Sequence, residues 1–142
     1  MTEDCLFCKI VKHEMDAVTV FENEEVIAFL DINPAGPLVG HTVVISKEHY
    51  ENIEEIPEKR LCEMMKIVKK LVPAIKKVSQ ADGVNIIQNN GKASGQFVPH
   101  IHFHIIPRKH GDGIWFDTKR RNPMPLERIE TAKAIKSELE KQ

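Results

Sequence analysis

The chemistry of this chain concentrates between His100 and Ile106, which read HIHFHII. Three of the seven histidines stand here at a spacing of two, with apolar residues between them. In an extended strand successive side chains point to opposite faces. His100, His102 and His104 then share one face, and Ile101, Phe103 and Ile105 the other. A helix would scatter the imidazoles around its axis, so the period argues for a strand. Imidazoles titrate near neutral pH and could move protons, attack an electrophile or bind a metal. Same-face strand residues lie about 6.6–6.8 Å apart, so one ion would need a bent backbone to take all three rings.

Just upstream runs a polar, glycine-bearing loop, NNGKASGQ, from Asn89 to Gln96. At Ser94, Gly95 and Gln96 backbone N–H groups can face an anion without a Cβ in the way. A phosphate held there would sit beside the imidazoles. The stretch has neither a P-loop lysine nor an acidic pair for magnesium, which favours metal-free phosphoryl chemistry. Taken alone, the glycines fit a simple turn equally well.

A second constellation is C-x-x-C at Cys5 and Cys8. Two thiolates at this spacing make half of a tetrahedral zinc site, and distant histidines are the usual other half. A redox pair and two buried cysteines without a partner are the alternatives; no βαβ pattern supports the first. Cys62 falls on a helical pattern and is expected in the core. His13, His110 and the basic run Lys119 to Arg121 fall in polar segments and read as solvated surface.

The elements that must position these groups follow from periodicity. Leu6, Phe7, Ile10 and Val11 predict a short amphipathic helix within Thr2 to His13. Thr19 to Glu22 and Val26 to Asp31 read as a hairpin, and HTVVIS, His41 to Ser46, as a strand. DINPAGPLVGH between them is an ordered crossing loop. Pro57 opens a long helix with Leu61, Met64, Met65, Val68, Leu71, Val72, Ile75 and Val78 on one side. Pro73 should kink or split it, and Asp82-Gly83 should end it. Val84 to Gln88 is another strand, and Pro99 suggests that the histidine strand is an edge or begins there. A last helix is expected from Pro125 to about Leu139, carrying Leu126, Ile129, Ala132 and Ile135. The order of elements predicts an antiparallel α+β fold with a helix on one sheet face.

Size and composition bound the rest. The 142 residues suit one domain, and 42% hydrophobic with 29% charged residues is ordinary for a globular protein. A formal net charge of -1 gives no global pull toward nucleic acid or membrane. No apolar run approaches a membrane span. MTEDCLFCKI shows no signal-peptide pattern, so a cytoplasmic location is expected.

The run GQFVPHIHFHII resembles the signature of the histidine-triad (HIT) superfamily, and DINPAGPLVGHTVVISKEHYENI resembles the same family's loop and strand. The similarity is greatest to Hint-like prokaryotic-type members with an N-terminal C-x-x-C. It implies a HIT-like fold: an antiparallel meander sheet, one long and one short N-terminal helix, and a C-terminal helical extension. The single HIT domain would fill residues 1–142, with a core of about 5–108 and an extension over 109–142. It also implies a homodimer acting on AMP- or GMP-containing purine nucleotides.

Family members release nucleoside monophosphates from phosphoramidates, acyl adenylates or dinucleoside polyphosphates through a nucleotidyl-histidine. By this resemblance the nucleophile is His102, a backbone carbonyl of its own strand holds the far ring nitrogen, and His104 and Gln96 complete the catalytic set. Ser94 and Gln96 would help place the phosphate and leaving group, with Gly95 and His41 close by, and Asn89 would make a ribose- or phosphate-side contact. Asp31 would take the ribose hydroxyls, and Phe7, Phe29 and Ile32 would line an apolar slot for the base. Phe29 and Ile32 suit a plain core as well, and Asp31 could merely cap a turn. Phe97 departs from the small hydroxylic residue many Hint-like members carry, which removes one phosphate donor. The resemblance completes the thiol pair with His49 and His100, a closed structural zinc site with Cys5 and Cys8. A purine-nucleotide-binding regulatory module with little catalysis is the alternative function.

Overall fold

The computed structural model describes residues 3–116 and 119–142. Thr2, at the edge of the expected N-terminal helix, and Asp117 and Thr118, within the expected extension, lie outside the described residues. The elements are α1 (Leu6–Val11), β1 (Thr19–Glu22), β2 (Val26–Leu30), β3 (Thr42–Ser46), α2 (Glu58–Ser79), β4 (Gly83–Gln88), a 3₁₀ turn (Lys92–Ser94), β5 (His102–Arg108) and α3 (Pro125–Leu139). The five strands form one antiparallel sheet in the order β1-β2-β3-β5-β4.

Side-chain alternation divides the core in two. Val26, Ala28, Val44, Phe103 and Ile105 face α2, where Met64, Ile67, Val68, Leu71 and Ile75 pack against them. Ile27, Phe29, Val43 and Ile45 face the other way and pack with Cys5, Phe7, Cys8 and Ile10 of the α1 region. The sheet is thus covered on both faces where a helix was expected on one. This is why β2 and β3 read as continuous apolar runs rather than alternating ones. The register sets Ile45 opposite His102 and Val43 opposite His104. The imidazole face of β5 is therefore the α1 face.

Several boundaries differ from expectation. The ladder of β5 starts at His102, not His100. The chain is still turning there: the His100 N–H donates to the Val98 carbonyl at 2.8 Å and the Ile101 N–H to the Tyr50 carbonyl at 2.7 Å. β5 is an interior strand, so Pro99 marks its approach and not an edge. Pro73 does not split α2, which runs unbroken for 22 residues. Pro73 and Lys69 are both exposed, so the carbonyl left without an N–H partner can turn to water. The helix ends at Gln80, in the left-handed region with φ of 54°, before Gly83 is reached. Cys62 is exposed, not core, and Met65 and Val78 also face solvent. None of the residues of α3 is buried. Its apolar residues recur every three positions, which drifts about 60° per step and builds no single face. Among the described residues no helix is long and apolar enough to cross a membrane.

Candidate active site and metal centre

β5 presents its imidazoles in sequence beneath α1. The His102 Nδ1 lies 2.8 Å from the His100 carbonyl. A carbonyl only accepts, so Nδ1 carries the proton and Nε2 keeps its lone pair. Phe7 stands edge-on to this ring, with centroids 5.1 Å apart, and the His104 ring lies 4.9 Å from it. Burial pushes the His102 pKa down, against the pull of the His100 carbonyl and Asp31. The ring is thus a neutral, oriented base or nucleophile at neutral pH.

The tautomers of the next two rings follow the same way. The Ala35 N–H donates to His41 Nδ1 at 2.9 Å, so a neutral His41 carries its proton on Nε2. That proton points to His104 Nδ1, 2.9 Å away, which leaves the His104 proton on its own Nε2. The Asp31 Oδ2 sits 3.5 Å from His41 Nε2 and 3.9 Å from His104 Nδ1. Burial, then the neighbouring His102 and His41, lower the His104 pKa to about 4, with Asp31 opposing. Burial also lowers His41, again against Asp31. Asp31, His41 and His104 come close enough to hold an ion. The Ala35 bond argues against it, because an ion on His41 Nε2 would need the proton on Nδ1, where Ala35 already donates. The hydrogen-bond chain runs from the Ala35 N–H through His41 to His104, with the Asp31 carboxylate beside it.

Asp31 divides its carboxylate. Oδ1 caps the start of the crossing loop by accepting the Asn33 N–H at 2.8 Å, while Oδ2 faces the histidines. The turn-capping reading therefore describes Oδ1, and Oδ2 is left beside the imidazoles. The Asp31 N–H also donates to the His41 carbonyl, closing the loop that separates them. Phe29 and Phe7 meet edge to face at 5.7 Å and are buried, whereas Ile32 is 89% exposed.

The loop before β5 is held by its own polar groups. The Gln96 Oε1 accepts the Gly91 N–H at 2.7 Å, and its Nε2 donates to the Glu51 and Val98 carbonyls. Ser94 Oγ donates to the Asn90 and Gly91 carbonyls. Gly91 and Gly95 take φ of 83° and 91°, a region costly for residues with a Cβ. Asn89 lies beside Gly95: a Cβ on that glycine would stand 3.7 Å from Asn89 Nδ2. Phe97 is 94% exposed between the anchored Gln96 and the packed Val98. A cleft of about 410 Å³ lies elsewhere, between Asp82 and the turn at residues 108–115. Its charges pair among themselves, Arg108 with Asp112 and Lys109 with Asp82.

Cys5, Cys8, His49 and His100 meet beside this site. His100 Nε2–H donates to the Ser46 carbonyl at 2.7 Å, so its Nδ1 lone pair faces the thiols. That Nδ1 lies 3.4 Å from Cys5 Sγ, 3.6 Å from Cys8 Sγ and 3.2 Å from His49 Nδ1, and His49 Nδ1 lies 3.3 Å from Cys8 Sγ. Ligands about 2.0–2.3 Å from a tetrahedral zinc stand about 3.3–3.8 Å from one another. The four donors fit such an ion in type, number and spacing. The groups missed by sequence reasoning are backbone ones, the Ala35 N–H and the Ser46 carbonyl, and no residue type signals them.

The HIT domain family model matches residues 12–111. The chain belongs to the HIT family. An uncharacterized HIT-like protein of Methanocaldococcus jannaschii is 53% identical over 77% of this chain and 82% of its own length. The adenosine 5'-monophosphoramidase of Schizosaccharomyces pombe is 36% identical over 88% of this chain and 92% of its own. A Streptococcus mutans UA159 crystal structure matches with a TM-score of 0.91 and 37% identity, covering 98% of this chain and 87% of that one. A zinc-bound histidine triad protein of Mycobacterium smegmatis matches with a TM-score of 0.74 and 34% identity, over 97% and 96% of the two chains.

Proposed function

We propose that this HIT protein hydrolyses purine nucleoside phosphoramidates, or transfers their nucleotidyl group, through a covalent intermediate on His102. The observation that carries the reading is the bond from His102 Nδ1–H to the His100 carbonyl, which leaves the Nε2 lone pair for attack. In the first step His102 Nε2 bonds the α-phosphorus, the P–N bond breaks, and the leaving nitrogen takes a proton from solvent and departs as the amine. In the second, water bonds phosphorus and gives up a proton to solvent, and the phosphorus–imidazole bond breaks to return neutral His102. The His104 Nε2–H donates to a phosphate oxygen, and Ser94, Gly95 and Asn89 flank it, although the N–H groups of Ser94, Gly95 and Gln96 donate to the Gly91 and Lys92 carbonyls of the turn and not to an anion. Gln96 acts by holding the loop that carries these groups. Asp31 Oδ2 accepts from the ribose hydroxyls, and Phe7, Phe29 and the rim residue Ile32 bound the base.

Acyl adenylates and dinucleoside polyphosphates present the same α-phosphorus and belong to the same reading. Zinc on Cys5, Cys8, His49 and His100 would supply a structural crosslink. We read the assembly as a homodimer in the cytoplasm; the unpaired outer edge of β4, with Ile86 46% exposed, supports a pairing surface. The test is His102→Ala assayed on an adenosine phosphoramidate. Turnover should fall at least about 10³-fold, as loss of a covalent nucleophile demands. Near wild-type turnover in the variant would remove the mechanism.

A further inference from the structure

The metal centre and the nucleophile share one residue and one wall. His100 offers its ring to the Cys5/Cys8/His49 cluster and its backbone carbonyl to His102 Nδ1–H. Phe7 stands between the two thiols in sequence, and its ring is edge-on to both His100 at 5.9 Å and His102 at 5.1 Å. The short helix α1, which carries Phe7, has no side-chain cap and an exposed outer face. Its hold on the sheet runs through Cys5, Phe7, Cys8 and Ile10. A six-residue helix has little stability of its own, so these anchors decide where Phe7 sits.

We propose that the Cys/His centre is a control point for catalysis: its occupancy sets the His102 ring through the His100 carbonyl and the Phe7 wall, so that metal governs turnover as well as stability. Four of the six donor pairs stand 3.2–3.6 Å apart, and all six lie within 4.8 Å, the spacing that a shared cation sets. Emptied, the cluster must part or place protons between its lone pairs. The tie between α1 and His100 then drops from metal–ligand bonds to weak hydrogen bonds. The Ser46 carbonyl still holds the far side of the His100 ring. The α2 face of the sheet, with its own apolar core, takes no part in the centre. What loosens is the acceptor that fixes the His102 tautomer and the ring that blocks its rotation. Phe7 is thus a positioning residue for the nucleophile.

This inference rests on the reading of His102 as nucleophile, and the experiment separates the two. Zinc-loaded and chelator-stripped protein are compared for kcat and KM on an adenosine phosphoramidate. The tautomer of His102 is followed by ¹⁵N ring resonances, and the fold by circular dichroism. The stripped protein should keep its sheet and lose kcat at least about tenfold, with KM changed less than about threefold. The ¹⁵N signals should move from a single Nδ1–H tautomer to a mixture, and added zinc should restore both readouts. Phe7→Leu, which keeps all four donors and a full equivalent of zinc, should show the same ¹⁵N mixing and a lower kcat.

A folded, stripped protein with an unchanged His102 tautomer and kcat within twofold overturns the proposal. Should stripping unfold the chain, Phe7→Leu decides alone, and an unchanged tautomer and kcat in that variant overturn it. If His102→Ala retains turnover, the nucleophile reading fails. If that variant is inactive while stripped protein matches loaded protein, the control point alone fails.

Discussion

Replacing His104 with glutamine should flatten the dependence of stability on pH. The neutral His104 ring accepts from His41 Nε2–H at 2.9 Å, and a glutamine oxygen can accept the same proton. Burial and two neighbouring imidazoles lower the folded pKa to about 4, against an ordinary histidine value of about 6.5 in the unfolded chain. The unfolded state therefore binds the proton first as pH falls. Stability is fullest above about 6.5 and is lost as pH drops toward 4. For one such group the loss between pH 7 and pH 5 is about 1.8 kcal/mol. The side chain is 22% exposed, so solvent screens little of this, and about 1–2 kcal/mol is the expected size. Urea unfolding of metal-loaded wild type and His104→Gln at pH 7 and pH 5 measures it. His41 and His102 add to the wild-type slope with the same sign, and the difference between proteins isolates His104. Equal losses in the two proteins would refute the account of a buried, neutral His104.

Gln96→Ala removes the acceptor of the Gly91 N–H and two donors to main-chain carbonyls. We expect a loss of about 1–3 kcal/mol in denaturant unfolding and a raised KM, as the loop before β5 loosens. Gly36→Ala places a Cβ 2.4 Å from Ile114 Cδ1 at a φ of 75°. It should cost about 1–3 kcal/mol and raise KM, because Gly36 lies in the loop between Asp31 and His41. In metal-loaded protein one thiol, Cys62, should react quickly with a disulfide reagent, and Cys5 and Cys8 only after chelation. Cys62→Ser should leave stability within about 0.5 kcal/mol and zinc content unchanged.

The three alternating histidines, the C-x-x-C pair and the polar loop were legible from residue type and spacing, because those patterns depend on local geometry alone. Strand alternation put His102 and His104 on one face, and the structure keeps them there. Leu6 to Val11, Thr19 to Glu22 and Pro125 to Leu139 form the elements their periodicity announced. The apolar stripe read on the last helix was a pattern of types without a burying surface. Cys62 was misplaced because helical periodicity gives a face only to within one residue's rotation, about 100°.

What the sequence by itself determined is the inventory: which imidazoles, thiols and carboxylates exist, and which share a strand face or a helix turn. The family resemblance already implied a strand carbonyl behind His102, but only the tertiary structure decided which nitrogen of His41, His100 and His104 carries the proton. That choice belongs to backbone groups, the Ser46 carbonyl and the Ala35 N–H, which every residue type possesses and no sequence pattern distinguishes. It also decided that α1 lies on the imidazole face of the sheet, since burial there depends on apolar surfaces from β2 and β3 and on the His102 ring of β5, which meet only when the chain is closed.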